Sequence, residues 1–338
     1  MKKAKISFTG KEIEFIDRDI GIRQIEEFAE RGVVSPIVIY GPEGCGKTAL
    51  FKQAKTILEE YGYHVIYVSP LAREEREIFT YTPTIHEIVE EVFKSLLDPY
   101  SRIVDVSIKI ASIVMRKLRK PRIAILMDDI FQVIGLDKAE IYTKILLNLI
   151  EYPSGDYEKI VILVSTSEGV TRWRIGRHRW ADILIMWNMS RDGFKQLYEV
   201  LPDPKPRFED VWRIAGGNPD ILERLYVNRW SVDVVLRKLI DVKRLDPYFL
   251  RKWGRHLEEA VADPDYLWSG PDEVESLVNE LIERNLIIFH IPPRIQELWI
   301  DTPPLEKDIE IGIGRHVAWQ SPLHREAVRR ALEEYKTI

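Results

Sequence analysis

The stretch Gly41-Pro-Glu-Gly-Cys-Gly-Lys-Thr48, GPEGCGKT in one-letter code, follows directly on the apolar run Ile37–Tyr40. It fills the pattern G-x-x-x-x-G-K-S/T completely, between a predicted strand and a predicted helix. Glycines allow backbone N–H groups to turn inward around phosphates, and the helix that follows presents its positive N-terminal end. The stretch therefore predicts a phosphate-binding loop. The alternative, a glycine-rich turn without a ligand, explains the full pattern less well.

Each position of this loop has an expected task. Lys47 can reach the β- and γ-phosphates of a nucleotide, and the Thr48 hydroxyl can ligate Mg²⁺. We therefore expect ATP or ADP together with Mg²⁺ as the ligands. The residues expected to contact the nucleotide through the loop are Gly41, Pro42, Glu43, Gly44, Cys45, Gly46, Lys47, Thr48 and Ala49.

A second candidate element is the run RIAILMDDIFQV, in which two acids end an apolar segment. Asp128 is the expected Mg²⁺ partner, and Asp129 stands where a carboxylate could polarise an attacking water. Both could instead serve only to cap a helix after the strand. Asp129 is one methylene shorter than the Glu that is commoner at this position, so its reach to the water is an open question.

Five apolar runs in the first half are continuous rather than alternating, which is typical of parallel strands buried on both faces. They are Ile37–Tyr40, His64–Ser69, Ile123–Asp128, Ile160–Ser165 and Ile183–Trp187. Helical patterns separate them near Thr48–Tyr61, Thr84–Leu97, Val104–Leu118 and Lys138–Tyr152. The alternation predicts an α/β fold with a doubly wound parallel sheet, in a nucleotide-binding domain of residues 1–188.

The remaining chain predicts two further domains. Residues 189–255 are helical, with a break at Gly216-Gly-Asn-Pro219, and suggest a helical lid domain. Residues 256–338 read as a winged-helix-like domain: a helix at Pro271–Arg284, a strand at Leu286–Ile291, a hairpin and a last helix. The hairpin is expected from Ile309–Gly314 and Arg315–Gln320, the last helix at Ser321–Tyr335, and a loop in the Pro-rich HIPPRIQELWIDTPP.

Composition narrows the class of protein. The chain has 338 residues, a net charge of −5 and one cysteine, Cys45, which excludes internal disulfides and a cysteine-based zinc site. No apolar run approaches the roughly 18 residues of a membrane helix. The N-terminal lysines are not followed by an apolar segment, so a signal peptide is not expected. We therefore expect a cytoplasmic protein without a membrane partner.

Together these motifs resemble the AAA+/STAND division of P-loop ATPases, and most of all its archaeal ATPase family, over roughly residues 10–225. The run FIDRDIGIRQIEEF resembles the opening motif of the family, which packs near adenine, and places Phe15, Ile16, Asp17 and Arg18 there. Ser165–Ser167, with Thr166 at the centre, fall at the sensor-1 position. Gly216–Pro219 resembles the G-x-P motif of the lid, whose Pro219 approaches the nucleotide.

The resemblance implies an ATPase that works as a switch, with ATP between the α/β domain and the lid and with hydrolysis changing their angle. An arginine from TRWRIGRHRW could contact the γ-phosphate. Arg172 is the candidate within one subunit, and Arg177 or Arg179 would act on a neighbour if the chain self-associates. The alternative is a regulator that binds nucleotide and hydrolyses it slowly or not at all.

A DNA-binding, origin-recognition-like ATPase is the remaining alternative. Residues 251–338 hold 11 Lys and Arg against 17 Asp and Glu, a net charge of −6, and the helix DEVESLVNELIER carries five acids. Such a surface repels the phosphate backbone that dominates DNA affinity. The charge therefore favours a protein partner for the C-terminal domain over nucleic acid.

Overall fold

The computed structural model describes residues 2–72, 74–96, 102–167 and 169–336. Its strands are β1 (Lys5–Phe8), β2 (Lys11–Glu14), β3 (Ile37–Tyr40), β4 (His64–Val68), β5 (Phe79–Tyr81), β6 (Arg122–Met127), β7 (Lys159–Thr166), β8 (Asp182–Met186), β9 (Ile287–Phe289), β10 (Trp299–Ile300) and β11 (Val317–Trp319).

The helices of the first half are α1 (Asp19–Arg31), α2 (Lys47–Glu60), α3 (Glu75–Ile78), α4 (His86–Lys94), α5 (Ile103–Lys117), α6 (Ile130–Ile134), α7 (Ala139–Glu151) and α8 (Gly169–Gly176). Those of the second half are α9 (Arg191–Glu199), α10 (Phe208–Ala215), α11 (Pro219–Val227), α12 (Val232–Val242), α13 (Pro247–Ala262), α14 (Tyr266–Ser269), α15 (Val274–Glu283) and α16 (Pro322–Lys336). Among the described residues, no helix combines the length and apolar character that a membrane crossing requires.

The central sheet has the strand order β10-β8-β3-β7-β6-β4-β5. All five strands predicted from continuous apolar runs lie in it, and they pair in parallel. Helices α1 and α2 bury one face, and α4, α5 and α7 bury the other. The doubly wound α/β prediction is therefore confirmed. The helix predicted to end at Leu97 ends at Lys94 in the structure, and Leu97 itself lies outside the described residues.

The register of the sheet aligns the ends of three strands. Tyr40 of β3 pairs with Thr166 of β7, and Met127 of β6 pairs with Val164 of β7. Because the strands are parallel, the segments that follow β3, β6 and β7 leave the sheet at one edge. This register brings the phosphate loop, Asp128 and the polar end of β7 next to each other.

Strand β10 corrects the prediction of a loop in HIPPRIQELWIDTPP. Trp299 and Ile300 pair in parallel with Ile185 and Met186 of β8, and so extend the central sheet with a strand from the C-terminal region. Two residues are too few to show a strand periodicity, and prolines on both sides conceal the strand further. Trp299 is fully buried there.

The N-terminal hairpin β1–β2 was not anticipated. Its register pairs Lys5 with Glu14, and it is attached to α2 because the Gln53 side chain accepts from Ala4 N at 2.7 Å and donates to Lys2 O at 3.1 Å. Gln53 is completely buried. The segment that leads into the hairpin is thus attached to the middle of α2.

The C-terminal half also differs from the predicted layout. Strand β11 pairs with β9 in antiparallel fashion, whereas the predicted hairpin partner at residues 309–314 forms isolated bridges only. Helix α13 spans the predicted domain boundary at residues 255 and 256, and a single core contains Phe194 of α9 together with Leu257 and Leu332. The division into lid and winged-helix-like domains stays a prediction.

The burial of Trp299 leads to a prediction about stability. We expect Trp299→Ala to lower the free energy of unfolding by about 3–5 kcal/mol, because it removes a fully buried aromatic side chain and leaves a cavity. The control is Trp268→Ala, since Trp268 is 43% exposed. Denaturant titration measures both variants. Equal losses would contradict the anchoring role of β10.

Candidate functional site

The phosphate loop connects β3 to α2 and is shaped by glycine. Gly44 and Gly46 have φ angles of +75° and +101°, which residues with a side chain rarely adopt. At Gly41 the limit is space, because a Cβ there would lie 2.1 Å from the Met186 carbonyl oxygen of the neighbouring strand. Gly46 is also the N-cap residue of α2 and offers no side chain to cap its first amides. These amides are therefore suited to an anion.

Lys47 lies at the base of the loop and is 4% exposed. Its Nζ donates to the carbonyl oxygens of Gly41 at 3.0 Å and Pro42 at 2.9 Å. The loop therefore holds the ammonium group in place, and this group gives the loop a positive charge. A phosphate in the loop would meet a cation that is already positioned and largely desolvated, where charge interactions are strong.

Asp128 follows β6 and is 2% exposed. Its Oδ1 accepts from Ser165 Oγ at 2.6 Å, and its Oδ2 faces Tyr67 OH and Ser69 Oγ, each at 3.4 Å. Burial, and next the charge of Asp129, raise its pKa, while a hydrogen bond from the Thr48 hydroxyl acts in the opposite direction. The carboxylate is thus in direct contact with the other predicted metal ligand.

This donor set fits a magnesium ion. A hydroxyl and a carboxylate are hard oxygen ligands, and Mg²⁺ is usually held by one or two such groups together with phosphate oxygens and water. Within the described ranges, no group of three or more His, Cys, Asp or Glu side chains could hold a metal by itself. Thr48 and Asp128 would therefore hold the ion jointly with a bound nucleotide.

Asp129 occupies strained backbone at the start of α6. Its φ is +48°, a left-handed value that is uncommon outside glycine and that often marks functional sites. Its N–H donates to Ser165 Oγ at 2.9 Å, and its carboxylate accepts from Ser167 Oγ at 3.4 Å. The polar end of β7 therefore orients both acids, one through each serine.

These groups share a cavity of about 470 Å³. Of the predicted residues, it is lined by Glu43, Gly44, Gly46, Lys47, Thr48, Ala49, Asp128, Asp129 and Pro219. Further lining residues are Ile6, Ser7 and Phe8 of β1, Lys52, Tyr67, Ser69, Leu71, Ala72, Glu74, Glu77, Ser167, Asp220 and Glu223. The cavity-lining residues of β1 and β4 could not be predicted from the sequence, because neither strand contains a recognisable motif.

The predicted lid region, residues 189–255, contacts the loop directly. Asn218 Nδ2 donates to Glu43 O at 2.9 Å, and Asp220 N donates to Gly44 O at 3.3 Å. Lys243 Nζ forms an ion pair of 2.9 Å with Glu43, although Lys243 is only 8% exposed. The pKa of Glu43 is lowered: burial alone would raise it, but the Lys243 charge and hydrogen bond outweigh that effect.

The opening motif lies behind the loop rather than in the cavity wall. Phe15 is buried in the core beneath α1 and α2, and Ile16 packs against the core of the C-terminal half. Arg18 is 3% exposed and donates from Nη2 to Cys45 O at 2.7 Å. Gly41, Pro42 and Cys45 likewise do not line the cavity. The expectation that Phe15, Ile16 and Arg18 lie near the adenine stays a prediction.

Arg172 is also placed differently from the expectation. Its guanidinium donates to Phe289 O at 2.9 Å and His290 O at 2.7 Å and lies 5.5 Å from the centre of the Tyr40 ring. Burial lowers its pKa. Because its donors are directed to the β9 backbone, Arg172 joins α8 to the C-terminal region and does not line the cavity. This geometry does not support a γ-phosphate sensor.

The other polar candidates are distributed over the surface and the core. Arg177 pairs with Glu140, and Arg174 pairs with Asp137, in both cases near the start of α7. Arg179 is exposed. Thr166 is 1% exposed at the end of β7 but is not part of the cavity wall, whereas its neighbour Ser167 is. Ser165 and Ser167 are therefore better placed than Thr166 to act on the two acids.

The comparison with protein families identifies the domain. A family described as an ATPase domain predominantly from Archaea matches residues 15–225, well over half of the chain. The chain belongs to this family. The match confirms the resemblance to archaeal ATPases and includes the loop, both acids and Gly216–Pro219. A comparison with curated protein sequences finds no match.

Several solved structures are similar to this chain at low identity. AMPPCP-bound DnaA from Aquifex aeolicus has 17% identity and a TM-score of 0.36, covering 77% of this chain and 75% of its own. Orc1 of Aeropyrum pernix in complex with DNA has 17% identity and a TM-score of 0.33, covering 94% and 92%. Cdc6p of Pyrobaculum aerophilum has 12% identity and a TM-score of 0.37, covering 94% of this chain and 95% of its own. These values are too low to support a conclusion about function.

The raised pKa of Asp128 leads to a prediction about how the stability of the ATPase depends on pH. We expect Asp128→Asn to raise the thermal midpoint of the nucleotide-free protein at neutral pH, because folding raises the pKa of this carboxyl and so disfavours its ionised form. A carboxyl with a raised pKa stabilises the fold below its unfolded pKa and loses that contribution as pH rises through its folded pKa. The gain should therefore shrink as pH falls towards the ordinary range of an Asp.

Thermal unfolding at neutral and at acidic pH measures this effect. The control is Asp156→Asn, at an exposed carboxyl, which should change the midpoint little at either pH. A lower midpoint for Asp128→Asn at neutral pH would show that its hydrogen bonds outweigh the cost of burying its charge.

Proposed function

We propose that this chain is a Mg²⁺-dependent ATPase that works as a nucleotide-controlled switch of the AAA+/STAND type. One observation carries the proposal. Lys47 and Asp128 are 81 residues apart along the chain, yet Lys47, Thr48 and Asp128 line one cavity. The wall of this cavity also includes Pro219 and Asp220 of the proposed lid. A phosphate cradle, a magnesium site and a movable wall are the parts that such a switch needs.

The proposed roles follow from charge and position. Lys47 and the first amides of α2 bind the β- and γ-phosphates, and Thr48 and Asp128 hold the metal site. Mg²⁺, when bound, neutralises negative charge that develops on the phosphate oxygens. Asp129 orients the attacking water, and Ser167, 3.4 Å from its carboxylate, holds Asp129 in place. The proposed nucleotide ligands include the whole loop from Gly41 to Ala49.

The switch itself would work through the lid, proposed as residues 189–255 against a nucleotide-binding domain of residues 1–188. The Glu43–Lys243 ion pair and the hydrogen bonds of Asn218 and Asp220 join these two parts at the loop that binds phosphate. A ligand can shift a conformational equilibrium only through different contacts in the two states. These contacts lie where the presence of a γ-phosphate can change them.

The C-terminal region, residues 256–338, is proposed to bind a protein partner in the cytoplasm. Helix α15 and the residues just before it carry the five acids that weaken the case for DNA. Self-association would bring Arg177 or Arg179 to a neighbouring site. The pairing of Arg177 with Glu140 makes the exposed Arg179 the better candidate.

Two substitutions test the ATPase. Lys47→Ala and Asp128→Ala should each abolish phosphate release, because they remove the phosphate cation and the metal ligand. Phosphate release from purified protein with Mg²⁺ and ATP is the measurement. Lys144→Ala, which removes only an exposed pair with Glu151, should leave the rate unchanged. ATP binding without phosphate release by the unaltered chain would exclude the hydrolytic switch.

A slowly hydrolysing regulator is the second candidate, and Asp129 favours it. Its short carboxylate is held by Ser167 and by left-handed backbone, both of which restrict its reach to a water. On this model Asp129→Glu should raise the turnover number severalfold, because the added methylene extends the carboxylate into the cavity. Single-turnover measurements separate chemistry from product release. An unchanged rate would show that the length of this side chain does not limit hydrolysis.

A further inference from the structure

Arg18 forms a buried bridge between the phosphate loop and the far end of the chain. Its Nη1 lies 2.9 Å from Asp301 Oδ2, and its Nη2 donates to Cys45 O at 2.7 Å. The two side chains of the ion pair are 3% and 4% exposed. A planar guanidinium with several fixed donors can hold two such acceptors at once. Arg18 therefore fixes the Cys45 carbonyl relative to Asp301.

The position of this carbonyl matters for the phosphate site. In a planar trans peptide the C=O and the next N–H point in opposite directions, so holding Cys45 O on the Arg18 side directs Gly46 N–H the other way. Gly46 lines the nucleotide cavity, whereas Cys45 does not. As a glycine at φ +101°, Gly46 resists a rotation of this peptide only weakly. An external anchor on the carbonyl is therefore the means of keeping that N–H available to a phosphate.

Asp301 is itself fixed at more than one point. Its Oδ1 accepts from Gly21 N at 3.3 Å in the first turn of α1, whose own N-cap residue provides no side-chain acceptor. A Cβ on Gly21 would lie 3.2 Å from the Asp301 Cβ, so the glycine makes room for this approach. The carboxylate thus binds the positive end of α1 and the guanidinium together, which is favourable for a buried anion.

The segment that carries Asp301 is attached to the nucleotide-binding sheet just before it. Strand β10 pairs with β8, and the Gln24 side chain donates to Trp299 O at 2.8 Å and accepts from Asp301 N at 2.7 Å. This segment lies between β9 and β11 along the chain, so Asp301 belongs to the C-terminal region while its side chain contacts α1 and Arg18. The path from that region to Gly46 consists of contacts at hydrogen-bond distance.

We propose that Asp301 is a positioning residue of the nucleotide site, and that through Arg18 and the Cys45 carbonyl it sets the affinity of the phosphate loop for nucleotide. The proposal rests on nucleotide binding by this chain and assigns to the C-terminal region a control over it. By linkage, nucleotide binding must in turn stabilise the docked position of β10.

The test compares nucleotide affinity with stability in the full chain. Asp301→Asn suits the left-handed backbone of this position, φ +66°, but leaves the Arg18 charge buried without its partner. We expect it to weaken Mg-ADP binding by roughly tenfold and to lower the thermal midpoint. The double variant Arg18→Met with Asp301→Asn removes the stranded charge. Its midpoint should recover towards that of the unaltered chain, while the loss of affinity should remain.

Calorimetric titration with Mg-ADP and thermal unfolding are the two measurements. Lys307→Ala, in the same segment but paired with Asp263 and Asp265, is the control and should change neither. If affinity recovers together with stability in the double variant, Asp301 has a structural role only and the proposal is wrong. If the unaltered chain binds no Mg-ADP, the proposed ATPase function is wrong as well, which is a distinct result.

Arg18→Lys keeps the test decisive if the double variant does not fold. A lysine retains the buried charge opposite Asp301, but a single ammonium group on a flexible stem cannot replace the fork that reaches Cys45 O. We expect a folded protein with affinity reduced to a similar degree. Unaltered affinity in this variant would overturn the proposal.

Discussion

The parallel register of β3, β6 and β7 is the constraint on which the site depends. It brings the phosphate loop, Asp128 and Ser165 to one edge of the sheet, although these segments are far apart along the chain. These groups can act together only once folding has brought them to this end of the sheet. Their chemistry arises because three buried strands end at the same level, and the cores on both faces of the sheet hold them there.

A loop that must present its N–H groups to a ligand cannot satisfy them internally, so its conformation has to be held through its carbonyls. The structure does this from several sides. Lys47 holds the carbonyls of Gly41 and Pro42, Asn218 holds that of Glu43, and Arg18 holds that of Cys45. Asn218 lies outside the predicted nucleotide-binding domain, and Arg18 is itself held by Asp301, which also lies outside it. The conformation of the loop is therefore a property of the whole chain.

Much of this could be predicted from the sequence, and what could not has a common cause. Continuous apolar runs identified β3, β4, β6, β7 and β8, and the loop pattern with Asp128 identified residues that line one cavity at the end of these strands. These signals are local. The sheet edge at β10, the hairpin at β1 and the partner of Arg18 are set by contacts between distant segments, and short strands carry no periodicity of their own.

The same reasoning applies to the arginine residues, whose roles stay a prediction. A basic run next to a sensor strand has the composition of a γ-phosphate contact, but composition does not say which acceptors surround it. In the folded chain, carbonyls of β9 lie within reach of Arg172, and acids near α7 lie within reach of Arg174 and Arg177. Tertiary contacts therefore place each of these side chains, and composition alone does not indicate those contacts.

Asp128 shows how function and stability oppose each other at this site. A buried carboxylate beside a second acid is unfavourable in the absence of a cation, which is why its pKa is raised. The serine and threonine hydroxyls around it reduce this cost without removing it. A divalent cation held by Asp128 would reduce the repulsion between Asp128 and Asp129. Asn218 and Lys243 contact Glu43 in the loop that lines the same cavity, so a change in this electrostatic balance would occur next to contacts with the second half of the chain.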